Sequence, residues 1–365
     1  MNVWTANISQ IDPIPNKDRI VLATVNGYQA IVAADQYKVG DLVVYISEQS
    51  ILNAELQEEL GLTGRLAGSN KDRVKAIKMG GVLSQGIVCR PADWELAGRP
   101  EGDLDDLFAK SITKWEPAIP LHMSGKIGRP KGNAPIAPMY DIENIKKQRH
   151  QRWHFNPETG ECVDPWWYDP FNGEIVYVTE KLHGTNFAAH MNHNDPNIYV
   201  YSKGLGKNGY ILLEDDTNVY WKAFHKYPSL KEQMEELLRN QSTDAVTIRG
   251  EVIGEGIQDL TYGHKFELVL FAVECHTAGT ANSWHPDGII LDVPNVPVLY
   301  HGVYDYDTIV ELSLGTNLYG TPGLHVREGV VCSHSYIYRQ MNGQRYAAKF
   351  INPDYLTRKG ATEFN

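Results

Sequence analysis

The chain has 365 residues, of which 42% are hydrophobic and 22% charged, enough to bury a core and to form about two domains. Its formal net charge of −11 excludes a protein that coats nucleic acid over its whole surface, so a polyanion has to be met at a local basic site. No basic stretch followed by an apolar run opens the chain, and no apolar run reaches the ~18–20 residues that span a bilayer. A soluble, cytoplasmic protein without a membrane partner is expected, and a monomer.

Residues 1 to about 95 read as short alternating strands, among them Arg19–Val25, Tyr28–Ala33 and Asp41–Ile46. Turn signals at Asn26-Gly27 and Val39-Gly40 separate them. Two further strands surround Arg73–Lys78 and Val82–Val88. So many short strands in so few residues predict a small closed β-barrel, and an OB-fold fits that size. Lys71, Arg73, Lys75 and Lys78 would lie on one hairpin. They either track a phosphate backbone or protect a solvated edge strand.

From about 96 to 173 the pattern loosens. Pro117, Pro120, Pro130, Pro135 and Pro138 break any long element. The basic stretch Ser124–Gly132, with Lys126 and Arg129, is either a linker or a loop that meets phosphates. Trp153–Asn172, with Trp166, Trp167 and Tyr168, reads as an irregular insertion of no clear task. From 174 onward strands alternate with helix: Ile175–Lys181, an amphipathic helix over Leu230–Arg239, then Ala245–Ile253 and Phe266–Glu274. The fold class is therefore α+β with antiparallel sheets. The expected domains are an OB-fold over 1–100, a linker, lead-in and Trp-rich insertion over 101–173, and a catalytic domain over 174–365. Cys89, Cys162, Cys275 and Cys332 are far apart and form no CxxC pair, so zinc and redox motifs have little support.

The most informative stretch is Thr179-Glu-Lys-Leu-His-Gly-Thr-Asn186. A lysine ends a strand and a glycine follows three residues later. A lysine amine attacks an electrophile only when neutral, which requires burial or a nearby cation. By itself K-x-x-G is weak, and a strand-end lysine before a turn explains it equally well. The longer string resembles motif I of the covalent nucleotidyltransferases, in its RNA ligase 2 form. Ser202-Lys203-Gly204, Arg249–Gly254, Leu270–Glu274, Arg327–Val331 and Arg345–Tyr355 are similar to the later motifs and follow in family order. Upstream, Ile112–Pro117, Ile119–Gly125, Tyr140–Ile145 and Val82–Gly86 resemble the fifth family of ATP-dependent RNA ligases, which carries an N-terminal OB domain.

The resemblance implies an ATP-dependent RNA ligase with magnesium or manganese as its divalent metal. Lys181 would form lysyl-AMP, Glu251 would accept the ribose hydroxyls, and Phe271 would stack on adenine. Thr179 and Glu180 would frame the adenine edge, and Asn186 and Lys203 would lie near ribose and phosphates. Lys349 would contact the α-phosphate. Glu328 would help hold the metal, with Glu251, Glu274 and His183 as further metal partners. The partner would be an RNA or RNA/DNA duplex end with a 3′-hydroxyl and a 5′-phosphate. The sequence departs from the family twice. Lys203 stands where arginine is usual, and Ile351 where a second motif V lysine is usual, with Arg345, Arg358 or Lys359 as substitutes. Two other readings stay open: a GTP-using capping-type transferase, and a non-catalytic OB-type nucleic-acid-binding protein with a degenerate transferase domain.

Overall fold

The computed structural model describes residues 3–92, 102–116, 125–129, 140–156, 158–159, 162–203, 210–240, 243–277, 280–284, 291–335 and 346–362. The chain divides into two compact units, one of 1–116 with 146–170, the other of 117–145 with 171–365. The stretch 101–173, expected as one connecting region, is thus shared between them.

In the first unit, strands β1 (Val3–Ile14), β2 (Lys17–Val25), β3 (Tyr28–Ala33), β4 (Leu42–Ser47) and β8 (Gly86–Cys89) lie in the order β3-β2-β1-β4-β8. The twelve-residue β1 serves both halves, pairing with β4 over Val3–Asn7 and with β2 from Ile8 to Ile14. A register shift between Ile8 and Gln10 falls just after the changeover, as a bulge does in a sheet that curls toward closure. The β2–β3 turn is Asn26-Gly27, with φ of 47° and 78°. Two consecutive positive φ values give the turn whose twist matches a hairpin, and Asn-Gly tolerates both. Alternation on β4 feeds two cores. Val44 and Ile46 join Val3, Leu52 and Phe108, while Val43 and Tyr45 join Trp4, Ile8 and Tyr28. Short strands β5 (Ser50–Leu52), β6 (Ile77–Met79), β7 (Val82–Ser84), β9 (Gly102–Asp103) and β10 (Ile112–Lys114) complete a near-barrel of OB type.

The Trp-rich segment is not irregular. His150–Phe155 (β13) and Cys162–Tyr168 (β14) form an antiparallel pair, with a register shift between Arg152 and His154. That shift, together with Pro165, hides the strand alternation from a reading of the sequence.

The second unit holds two sheets. One has seven strands in the order β11-β18-β17-β16-β19-β20-β21: Ile127–Gly128, Ile211–Leu212, Asp195–Ser202, Thr185–Asn192, Ala245–Ile253, Glu267–Thr277 and Thr280–Trp284. The other has five in the order β12-β24-β23-β15-β22: Glu143–Asn144, Ala347–Ile351, Gly329–His334, Ile175–Lys181 and Val298–Val303. Helices Val219–His225 and Leu230–Asn240 cover the larger sheet, burying Trp221, Leu230 and Met234 against Phe187, Val246 and Ile248. Helix Tyr306–Ser313 buries Ile309 against Val178, Val330 and Phe350 of the smaller sheet. A third core packs Ile253 and Val269 of the larger sheet with Leu182, Tyr262 and Tyr355 and with Ile351 at the end of a strand of the smaller sheet. Each such aliphatic side chain contributes roughly 1.5–3 kcal/mol, so this core fixes the crossing between the sheets. Cys89, Cys275 and Cys332 are buried and not joined in disulfides. No helix among the described residues is long and apolar enough to cross a membrane.

Candidate active site

Lys181 is the last residue of β15, and the three residues after it carry the chain from the five-stranded to the seven-stranded sheet at β16. Gly184 is required there by close approach rather than by turn conformation. A Cβ on it would lie 2.2 Å from the Val252 carbonyl oxygen. Its peptide is held at both ends: its N–H donates to Glu251 Oε1 at 3.0 Å, and its carbonyl accepts from Gln258 Nε2 at 3.1 Å. Gly329 faces Lys181 in the ladder with φ of +153°, and a Cβ would come within 2.1 Å of the Phe350 carbonyl oxygen. The residue before it, Glu328, is thereby delivered to Lys181, with Oε1 2.8 Å from Nζ. Glu328 Oε2 is buried and has no hydrogen-bond partner.

Burial presses the Lys181 amine downward, but Glu328 and then Glu251 outweigh it, and the amine is held above the usual lysine range. This corrects the simple expectation of an already lowered nucleophile. Lys349 shows the opposite balance: burial first, then the charges of Lys181 and Lys203, bring it down to about 8. Burial pushes Glu251 up to about 7 against the pull of Lys181. Asn186 lies opposite Glu251 in the β16–β19 ladder, so the two share a face. Lys203, partly exposed, sits 3.7 Å from Asp141. The structure therefore brings together Lys181, Lys203, Lys349, Glu251, Glu328 and Asn186. With Asn186, these are three cations and two carboxylates, one carboxylate oxygen being buried and under-satisfied, a setting that favours phosphates over a neutral ligand.

Phe271 is half-buried, and its ring meets Tyr140 at a centroid distance of 4.8 Å. Thr179 is built into the sheet, opposite Val331 and Val298. The Glu180 carboxylate is taken up by neighbouring backbone. It accepts from the Leu318 and Tyr319 N–H groups and lies 3.9 Å from Arg327.

Two of the expected metal partners are committed to other contacts. Glu274 is fully buried, 2.8 Å from Arg249. His183 receives the Tyr355 hydroxyl at Nδ1 (2.9 Å), while its Nε2 lies 3.0 Å from Asp259 and 3.1 Å from Arg358. Among the described residues no three His, Cys, Asp or Glu side chains form a metal-holding group. The orphaned Glu328 oxygen nevertheless fits a divalent ion of the kind held by one or two carboxylates plus substrate phosphates.

Of the four basic residues expected on one hairpin, the Arg73 guanidinium packs 3.3 Å over the Trp115 ring, while Lys71 at a turn, Lys75 in the irregular segment after it and Lys78 on β6 are exposed. Lys126 is largely exposed, 3.8 Å from Asp215, and Arg129 lies over Tyr210 at 5.1 Å. Arg358 is no substitute for a second motif V lysine, because Asp259 and the Tyr355 face hold it. Ser124, Gly132, Gly204 and Arg345 lie outside the described residues. Sequence reading missed the roles of Tyr140, Asp259, Tyr355 and Thr362. Tyr140 was seen only as lead-in and Tyr355 only as the end of a motif string, while Asp259 and Thr362 reach His183 across 76 and 179 positions with no local pattern to mark them.

Residues 174–351 match the RNA ligase family model, and residues 3–91 match an OB-fold domain model. No curated protein matches the chain. Among solved structures, a lysine-to-alanine mutant of Naegleria gruberi RNA ligase with ATP and Mn is similar at 22% identity and TM-score 0.72, covering 98% of each chain. The same organism's RNA ligase with PPi is similar at 22% identity and TM-score 0.70, covering 97% of each chain. A glutamate-to-alanine mutant with ATP and Mn gives 23% identity and TM-score 0.70, covering 97% of this chain and 98% of that one. At that identity the structures speak to fold, and the two matched regions speak to domain type. The chain is thus similar to two-domain RNA ligases, with an OB-fold match over 3–91 and an RNA ligase family match over 174–351.

Proposed function

We propose that the protein is an ATP-dependent RNA ligase in which Lys181 carries AMP. The observation that carries this reading is the Lys181–Glu328 pair at 2.8 Å beside Lys349 and Glu251, at the end of a strand inside the RNA ligase match. Lys181 Nζ, once its ammonium has released a proton to solvent, attacks the α-phosphorus of ATP: the N–P bond forms, a second proton leaves the nitrogen, and the bond to pyrophosphate breaks. A 5′-phosphate oxygen of the nucleic acid then takes the adenylyl group from the lysine. A 3′-hydroxyl attacks that activated phosphorus, forming the phosphodiester and releasing AMP.

Glu328 orients the amine through Oε1. Lys349 and Lys203 supply positive charge for equatorial and leaving phosphate oxygens, and their mutual repulsion with Lys181 is relieved when a triphosphate lies among them. Glu251 and Asn186 face the ribose, and Phe271 faces the base, with the Thr179 and Glu180 backbone at the base edge. A bound magnesium or manganese ion would be held at Glu328 and would neutralise phosphate charge. The substrate would be a nicked duplex with an RNA 3′-hydroxyl strand, taken by a monomer. Lys71, Lys75, Lys78, Lys126 and Arg129 offer exposed charge to its backbone.

The test is sealing of a nicked duplex carrying an RNA 3′-hydroxyl and a 5′-phosphate, with ATP and each metal in turn. A sealed strand with stoichiometric AMP release is expected. No joining with either metal, on nicks or on free RNA ends, overturns the reading.

A further inference from the structure

The segment 145–157 contains Lys146, Lys147, Arg149 and Arg152 and no acidic residue, in a chain of net charge −11. Part of this charge anchors the segment. Lys146 and Lys147 lie over the Tyr28 and Trp4 rings, and Arg149 pairs with Asp169 at 2.8 Å and lies 4.5 Å over Trp167. The other face of the β13–β14 hairpin is different. Trp166 and Tyr168, two residues apart on β14, are each 47% exposed. Opposite them in the ladder stand Arg152 and His150, both exposed. Residues directly opposite in an antiparallel pair share a face, and the His150 and Tyr168 rings are parallel within 9° at 6.3 Å.

We propose that this face binds single-stranded RNA flanking the duplex that is sealed, bases on Trp166 and Tyr168 and phosphates at Arg152; the proposal rests on the RNA reading above. Three physical points support it. Large aromatics standing out of an otherwise polar surface are costly unless something covers them. Residues two apart on a strand are separated by about 7 Å, the thickness of two stacked bases, so one base fits between the rings. Aromatic rings beside cations on a short β-platform are the means by which single strands are held without sequence preference. A double helix keeps its base faces inside the stack and gains only the Arg152 contact, so the predicted occupant is single-stranded.

The experiment uses the full chain and a fluorescein-labelled twelve-nucleotide oligouridylate, read by anisotropy, with AMP-adduct formation measured in parallel. The Trp166→Ala/Tyr168→Ala variant is expected to bind at least about tenfold more weakly. Its adduct formation should equal that of the parent. Arg152→Ala is expected to weaken binding and to lower the slope of log affinity against log salt by about one. Trp166→Phe, which keeps a stacking surface, should retain most of the affinity. Unchanged binding in the double variant, or no binding by the parent chain, overturns the proposal. Hairpin-dependent binding without any AMP adduct would leave the platform standing and remove the ligase reading instead.

Discussion

Two clusters of charge sit within a few residues of each other along motif I, and they are built on opposite principles. At Lys181 three lysines and two carboxylates converge, and one buried carboxylate oxygen is left without a partner. At His183, two positions on, every group is answered. Asp259 accepts from Arg358 Nε at 2.8 Å, from Arg358 Nη2 at 2.9 Å and from the Thr362 N–H at 2.9 Å, and the histidine takes a partner at each nitrogen. Asp259 is held well below the usual carboxylate range, burial being outweighed by the hydrogen bonds from His183, Arg358 and Thr362. A saturated network is rigid, and an unsaturated one is completed by what binds to it. The clamp at His183 holds still the strand end from which Lys181 reaches out, and His183 is thereby a positioning residue.

The sharpest way to break this contrast is to remove a charge from the open cluster. Lys349→Met should slow adenylylation by about 10²–10³, the scale of losing one preorganised charge at a phosphoryl centre, with little change in melting temperature. A rate within a few-fold of the parent in single-turnover assays would place Lys349 outside the reacting cluster. The closed cluster should respond the other way round. Asp259→Asn leaves Arg358 without its counter-charge and should cost about 3 kcal/mol, seen as a fall of roughly 5–10 °C in melting temperature. A melting curve unchanged within a degree would mean that the clamp does not hold the unit together.

Buried His190 sharpens the comparison through pH. Burial first, then His276 and Arg249, lowers it from the ordinary 6.5 to about 3. Its folded form is neutral, so its contribution is complete above pH 6.5 and is lost as pH falls from there toward 3. Stability should drop by roughly 1 kcal/mol per pH unit across pH 6 to 4. His190→Asn should remove that share of the slope, whatever its own stability; an identical slope in the variant would show that other groups set it. The smallest effect belongs to the surface. Lys126→Ala, losing a loose 3.8 Å contact with Asp215, should change stability by less than about 0.5 kcal/mol, and a larger change by chemical denaturation would contradict its exposed placement.

What could be read in advance follows from locality. Tyr28–Ala33, Ala245–Ile253 and Ile175–Lys181 are strands over the expected residues, because alternation and flanking turns are local signals. The helix expected over Leu230–Arg239 runs one residue further, to Asn240. Lys181, Glu251, Glu328 and Lys349 were legible because a motif string marks each of them. The clamp was not, since Asp259 and Arg358 stand 99 positions apart in segments with no pattern of their own. The pairing of Glu274 with Arg249 was not legible either, because strand alternation does not reveal what a face holds. The hairpin over 150–168 was hidden by a register shift.

Whether Lys181 takes AMP is read by intact-mass measurement. The chain, first stripped with pyrophosphate, is incubated with ATP and magnesium or manganese beside Lys181→Ala. A gain of one adenylyl group in the parent, absent from the variant and mapped to the Lys181 peptide, is the predicted result. No gain with either metal, or an equal gain in the variant, would contradict the account.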